Sequence, residues 1–484
     1  MTFVKKRMTG YALIIFICLL TSPVLTVIGT QLHSDAGVNI FKIVDLFDFM
    51  PPLLNWTPIY SFGYSVLPYR FFKTGFFAFL AITVITRFIY KNYRLSSKIA
   101  APASLFISGL MLFLYVQPAS IVTLGLNPYN GCHADQHYYN GIDEIYEEKV
   151  ADFNIISYKL DFIIKNELTA AAEIQVSAKD LCDFQFTLYH GYVITKITNE
   201  KGEELRFTQK SDYVTVYSNK NLEKLIMYYH GSAPRFFANR QGVSLPGYFP
   251  FYPQKGFRNI YNKDEYGFDK FTQTDTYSFD VSVDSKKKVY CNLAKTGDNT
   301  FSGISNSLTL VSGLYDSYIH NNIEIVYPYM LIDKGAAADE SFTMDKMLSE
   351  ADKFLTNRLD GKDIKRIICV ANMNNASPFE RLCVYSDHIT AIALNSLDYY
   401  YENQRFSGDK RRLYEYIDIY KNMRQAYDTR LDMAKSEKSE QAKLIVLLDE
   451  KIKLLGETPV IEKAAEYFNS EDNRSAFEFL ESLR

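Results

Sequence analysis

Residues 8–32 contain no charged side chain, and Lys5, Lys6 and Arg7 lead into them. About 20 apolar residues suffice for a helix to cross a bilayer, so this run is expected to be a first transmembrane helix. A basic leader ahead of an apolar run also suits a signal peptide. The run is long, however, and shows no clear small-residue cleavage site. Two further apolar segments follow. Residues 71–90 have an uncharged centre, 74–86, flanked by Lys73 and Arg87, which would have to snorkel to opposite interfaces. Residues 99–126 are uncharged throughout, with Pro118 as an expected kink.

Lys and Arg in short loops set orientation. Three basic residues precede the first run, and Lys91, Arg94 and Lys98 follow the second. The flank after the third carries Asp135, Asp143, Glu144, Glu147 and Glu148. The expectation is therefore a multi-pass plasma-membrane protein with a cytoplasmic N-terminus and everything beyond about residue 127 outside. The aromatic, proline-bearing connection 33–70 would lie at the outer interface.

Beyond residue 127 Lys, Asp and Glu become frequent, and the net charge of −3 offers no basic excess for nucleic acid. The six cysteines, at 18, 132, 182, 291, 369 and 383, form no Cys-x-x-Cys or Cys-His ligand spacing. They are read as isolated buried thiols. Tyrosine (37) and phenylalanine (35) far outnumber the single Trp56, which favours sheets in which aromatics pair across strands.

Period-two runs begin near residue 150. Examples are Ala171-Ala-Glu-Ile-Gln-Val, Phe184-Gln-Phe-Thr-Leu-Tyr, Tyr213-Val-Thr-Val-Tyr and Thr276-Tyr-Ser-Phe-Asp-Val-Ser-Val. Turn clusters such as Asn199-Glu-Lys-Gly and Thr296-Gly-Asp-Asn separate them. Many short strands at regular spacing predict an antiparallel, sandwich-like domain. The Pro- and Gly-rich stretch Leu245-Pro-Gly-Tyr-Phe-Pro-Phe-Tyr-Pro excludes a helix or a central strand, and its aromatics can plug one end of a sandwich.

Four features taken together resemble the N-terminal β-domain of aminopeptidase N-like zinc metallopeptidases, in the versions fused to ABC-type export permeases. They are Phe186-Thr-Leu-Tyr-His-Gly, the run 222–231 ending in Tyr-His-Gly, the Phe-Tyr-Pro element around Pro253, and Phe279-Asp-Val-Ser-Val with Asn292 beyond it. The resemblance spans about residues 150–330. It implies a substrate-gripping glutamate downstream, and Glu380 of Phe379-Glu380-Arg381 falls where that residue would lie. It also implies His-Glu-x-x-His on a helix, where two histidines four apart hold zinc and the glutamate acts as base. That motif is missing. None of His33, His133, His137, His190, His230, His320 and His388 is followed by glutamate, and no histidine follows His388.

His133-Ala-Asp-Gln-His137 has His-x₃-His spacing but places Ala134 where the base would be, so a solvated linker is preferred to metal binding by His133 and His137. Adjacent Asp387 and His388 are not expected to form a triad geometry by themselves, and no nucleotide-binding, dinucleotide or Gly-x-Ser-x-Gly motif is present.

The resulting expectation is an α + β membrane protein. About three transmembrane helices (tail and first helix 1–32, outer connection 33–70, second and third helices 71–126) lead through a juxtamembrane linker, 127–149. An antiparallel β-sandwich-like domain, 150–333, and a mainly helical domain, 334–484, complete it. The function expected is non-catalytic: an accessory to an ABC-type exporter, with separate ATPase and permease subunits as partners and a peptide or lipid-like ligand. A stand-alone cell-surface scaffold of pseudo-peptidase shape is the alternative, and an unrecognised hydrolase is the third reading. No cofactor is expected. Glu380, Tyr248, Phe251 and Tyr252 are the expected ligand contacts.

Overall fold

The alternation seen in the sequence becomes a seven-stranded sheet in a computed structural model of the chain. The structure describes residues 68–93, 99–116, 129–142, 148–178, 183–218, 222–263, 267–268, 275–328, 344–359, 362–370, 378–394 and 397–483, apart from a few single positions and 436–439. In spatial order the strands are Ala294–Gly297, Thr300–Ser305, Tyr277–Asp284, Phe153–Ile164, Leu168–Ala178, Lys224–Gly231 and Tyr192–Asn199. Every neighbouring pair is antiparallel except Phe153–Ile164 with Tyr277–Asp284, which run parallel from Ser157↔Ser278 to Ile163↔Asp284. Buried and exposed residues alternate strictly along Tyr277–Asp284, so one face carries Tyr277, Phe279, Val281 and Val283 inward.

Two four-stranded sheets contribute to the same hydrophobic core. One orders Gln254–Lys255, Phe184–Thr187, Tyr213–Val216 and Phe207–Lys210. The other orders Val289–Cys291, Leu310–Ser312, Gly242–Leu245 and Ala238–Asn239. Between strands, the segment 246–253 runs through this core without a ladder of its own. The carbonyls of Pro246 and Phe249 accept from amides within the segment, and others are satisfied from outside: Tyr229 donates its hydroxyl to the oxygen of Phe251 (2.9 Å), Tyr158 to that of Pro253 (3.0 Å), and the amide of Tyr189 to that of Pro250 (3.0 Å). Buried tyrosines here do the work that a neighbouring strand would do elsewhere.

A further five-stranded sheet orders Tyr315–His320, Ile323–Pro328, Arg366–Cys369, His388–Ala391 and Leu382–Val384, the three central strands parallel. Its first hairpin closes through Asn321 and Asn322, both at positive φ (48° and 64°), the primed turn that right-twisted strands favour. The sheet-bearing unit thus continues to Leu394, past the expected boundary at 333, because Arg366–Cys369 and His388–Ala391 extend a sheet begun by Ile323–Pro328.

The second compact unit comprises 350–354 and 395–484. Its helices Leu397–Asn403, Gly408–Asn422, Arg424–Ala434, Glu440–Leu455, Glu457–Asn469 and Ala476–Ser482 enclose a core that includes Leu413, Tyr427, Leu448 and Val460. Gly456, at φ 87°, donates to the carbonyl of Ile452 and separates two helices, as a glycine past a helix end does. Ser475 and Glu478 form a reciprocal capping box at the last helix. Asp449 and Lys453 form an i,i+4 ion pair at 2.6 Å.

The N-terminal expectation is corrected. Helices Pro68–Tyr93 and Ala100–Val116 pack on each other, joined by Ser108 Oγ donating to the carbonyl of Phe76 (3.0 Å) and by the Thr83–Ser104 hydroxyl pair (2.8 Å). No helix among the described residues is long and apolar enough to cross a membrane. The described part of the third run, Ala100–Val116, has 17 residues, against the roughly 20 that a span needs; its remainder, 117–126 with Pro118, lies outside the described residues. In Pro68–Tyr93 the charge-free stretch is only 74–86, and Lys73 is buried instead of reaching an interface. The three-span architecture and the multi-pass plasma-membrane placement built on it are therefore set aside; the first run, 8–32, and the connection as far as residue 67 lie outside the described residues. What stands is an α + β fold with many strands in several sheets.

The expected linker 127–149 contains a helix, Tyr129–Asn140. Its Asp135 and Tyr139 are buried, and aromatic contacts to the β-domain hold in helical form a segment whose Gly and Asn content suggested a linker.

Candidate functional site

Glu380 lies in the single helical turn Pro378–Arg381, where Pro378 opens the turn with φ already set for a helix. Its carboxylate accepts a hydrogen bond from Arg235 Nη2 at 2.6 Å, and both side chains are only 2% exposed. Arg235 belongs to Ala233-Pro-Arg, just past the strand Lys224–Gly231. Tyr248 is within electrostatic reach of both. Burial, then the Glu380 charge, raise its hydroxyl well above the ordinary tyrosine range, while Arg235 opposes them.

Arg235 also acts electrostatically on Asp135 of the helix Tyr129–Asn140. Asp135 Oδ1 accepts from the Tyr189 hydroxyl at 2.5 Å. Burial pushes its carboxyl up to about 6, against the opposing effects of the Tyr189 hydrogen bond, His190 and Arg235. Next to it, Asp212 takes three donors or partners: the His190 amide (2.7 Å), the His190 ring Nδ1 (3.1 Å) and the Tyr139 hydroxyl (2.9 Å). Tyr138 stacks on His190 at 3.4 Å and Tyr139 on Tyr261 at 4.4 Å.

A second polar line runs through the interior. His388 Nδ1 meets Asp387 Oδ1 at 2.9 Å, and His388 Nε2 meets the Thr309 hydroxyl at 2.9 Å. The adjacent Asp387 and His388 therefore do act together, contrary to the expectation from their spacing. The bend at Ser386 and Asp387 brings the carboxylate to the ring edge at Nδ1, while Ser305 (2.6 Å) and Asn292 (3.2 Å) hold it. Burial raises the Asp387 carboxyl, but hydrogen bonds from His388, Ser305 and Asn292 outweigh it and leave it below the ordinary aspartate value. The order Asp–His–Thr imitates a nucleophile relay, yet His388 and Thr309 are wholly buried, and Thr309 Oγ1 also accepts from the amide of Gly247 (3.0 Å). The hydroxyl is committed on both sides with no approach for a carbonyl substrate, so its chemistry is that of a buried crosslink.

Of the residues picked out from the sequence, Glu380 and Tyr248 come together. Phe251 packs against Phe162 and Tyr252 against Tyr158, both inside the core. His137 is exposed on the helix Tyr129–Asn140, and the side chain of His133 lies outside the described residues. Among the described residues no three His, Cys, Asp or Glu side chains gather as a ligand set, and no metal ligand is assigned. The sequence reading missed Arg235, Asp135, Asp212 and Thr309. Their partners are 145, 54, 22 and 79 positions away, so no local spacing could expose them. The one available signal was Asp135 standing between two histidines that drew attention for their own spacing.

No protein-family model matches the chain, nor does any curated protein. Among solved structures it is similar to an M1 zinc metallopeptidase from Deinococcus radiodurans bound to a Tyr-Ser-Ala substrate, at 13% identity and a TM-score of 0.35 over 68% of this chain and 90% of that one. It is also similar to a two-domain M1 zinc metallopeptidase bound to L-tryptophan (12%, TM-score 0.36, 70% and 93%). A third similar structure is yeast LTA4 hydrolase in complex with bestatin (10%, TM-score 0.33, 53% and 44%).

Proposed function

We propose that the chain is a non-catalytic binding or scaffold protein whose ligand is a peptide or a segment of another protein. One observation supports this above others: the carboxylate of Glu380 is buried and engaged by Arg235, so it is spent within the molecule. An amine seeking that carboxylate would have to displace a guanidinium held at 2.6 Å in a desolvated setting. The sequence supports the same reading, since no His-Glu-x-x-His pair exists before or after Glu380. The exporter-accessory reading rested on the expected transmembrane spans together with the resemblance to permease-fused peptidases; with the spans set aside it is not proposed.

The test combines binding and turnover on the purified full chain. Saturable binding of members of a random peptide pool, unchanged by chelation and without hydrolysis of aminoacyl-coumarins in added zinc, is the expected outcome. Chelator-sensitive hydrolysis that disappears in Glu380→Gln overturns the non-catalytic part. Failure of every peptide to bind saturably overturns the binding part.

A further inference from the structure

The helix Tyr129–Asn140 is held to the β-domain by a face that mixes aromatic stacking with one buried acid. Tyr138 stacks on His190, its hydroxyl reaches Ser211 (3.2 Å), and Tyr139 stacks on Tyr261 while donating to Asp212. These contacts keep the imidazole and Asp212 in place whatever the ionisation of Asp135. Asp135 differs: it is 2% exposed, its Oδ1 accepts from Tyr189, and among the described residues its Oδ2 has no hydrogen-bond partner. An ionised carboxylate with one oxygen unserved in a dry setting opposes docking; a neutral one does not.

We propose that the helix Tyr129–Asn140 is an acid-favoured latch, docked more firmly on the β-domain when Asp135 is protonated than when it is ionised. The ionisable groups facing Asp135 are Tyr139 of its own helix, Tyr189 and His190 of the turn before Tyr192–Asn199, Asp212, and Arg235. Arg235 is itself neutralised by Glu380, and Asp212 is occupied by His190 and Tyr139, so neither gives the second oxygen of Asp135 a direct partner. The sign follows from the raised carboxyl. In the docked state the proton is lost near 6, against 3.8 for an ordinary aspartate. Docking therefore weakens as pH rises between these values and stays weakened above them. Between pH 5 and pH 7.5 the docking constant should fall about tenfold. This inference concerns the helix alone and stands apart from the proposed ligand binding.

Hydrogen exchange of the full chain, read by mass spectrometry and corrected for the intrinsic pH dependence of exchange, tests it. Peptides covering 129–142 should be about tenfold more protected at pH 5 than at pH 7.5, with the strand Phe153–Ile164 as an unchanged internal reference. Asp135→Asn should be equally protected at both values. A pH-independent wild type, or a pH response that survives in Asp135→Asn, overturns the proposal. Carboxylate NMR of the wild type with labelled aspartate covers the case in which the variant misfolds. One resonance titrating near pH 6 is expected, and its absence overturns the proposal as well.

Discussion

Arg235 and Glu380 stand 145 positions apart in the chain and meet at 2.6 Å in a place where each is 2% exposed. Removing either partner strips the other of its short ionic contact in a buried setting. Arg235→Met alone and Glu380→Leu alone are each expected to lower the unfolding free energy by about 3–5 kcal/mol. The double variant should recover most of that loss, because an apolar pair of similar volume carries no desolvation penalty. Denaturant midpoints of the four proteins form the cycle, and equal losses in the double and single variants would contradict the assignment.

Gly231, at φ 150°, ends the strand Lys224–Gly231 where the two Tyr-His-Gly sequences meet. A Cβ at Gly231 would lie 1.9 Å from the carbonyl oxygen of Gly191. Backbone blocks it, and no side chain can swing aside. Gly231→Ala should therefore cost about 1–3 kcal/mol or more, whereas Gly202→Ala, at positive φ but in open space, should cost less. Thermal melts of the two variants order them.

Cys291, Cys369 and Cys383 are buried thiols that take part in no disulfide. Burial raises the thiols of Cys291 and Cys369 to about 12, and thiolate is the form that reacts. In native protein at neutral pH these cysteines should resist iodoacetamide and be alkylated only after denaturation. Peptide mapping of the labelled protein reads this directly, and rapid native labelling of any of the three would contradict the packing.

Asp387 gives an acid response opposite in sign to that of Asp135. Its folded value lies below the ordinary 3.8, so the stabilisation it supplies is complete above that range and is lost as pH falls through the depressed value. Urea midpoints should drop on acidification below the ordinary aspartate range, and Asp387→Asn should flatten this limb while lowering stability at neutral pH. An unaltered acid limb in Asp387→Asn would assign the effect to other carboxylates.

The strands of the β-domain were legible because alternation survives in runs such as Tyr277–Asp284, where every second side chain is buried. The helix end at Gly456 and the Asp449–Lys453 pair rest on local signals of the same kind, written within five residues. Apolar content misled at the N-terminus: in Pro68–Tyr93 it is only partly used in packing, with Ile82, Val84 and Ile85 left exposed, and the burial of Lys73 appears only in three dimensions. The residues around Glu380 were half visible. The carboxylate could be placed by resemblance, but Arg235 is a lone arginine in a loop, and long-range pairing leaves no mark on neighbouring positions. Phe251 and Tyr252 were marked by their aromatic density, which is equally the mark of a core.

The parallel pairing of Phe153–Ile164 with Tyr277–Asp284 sets an order of events during synthesis. Tyr158 finds its neighbour on one side in Ile174 at once, but its neighbour on the other side, Phe279, emerges from the ribosome more than a hundred residues later. Until then the nascent sheet carries an open, hydrophobic edge along Phe153–Ile164, the kind of surface that recruits foreign strands. A translation pause or truncation before Tyr277 would thus expose a sticky intermediate, and chaperone capture of ribosome-bound chains should fall once residue 284 has cleared the exit tunnel.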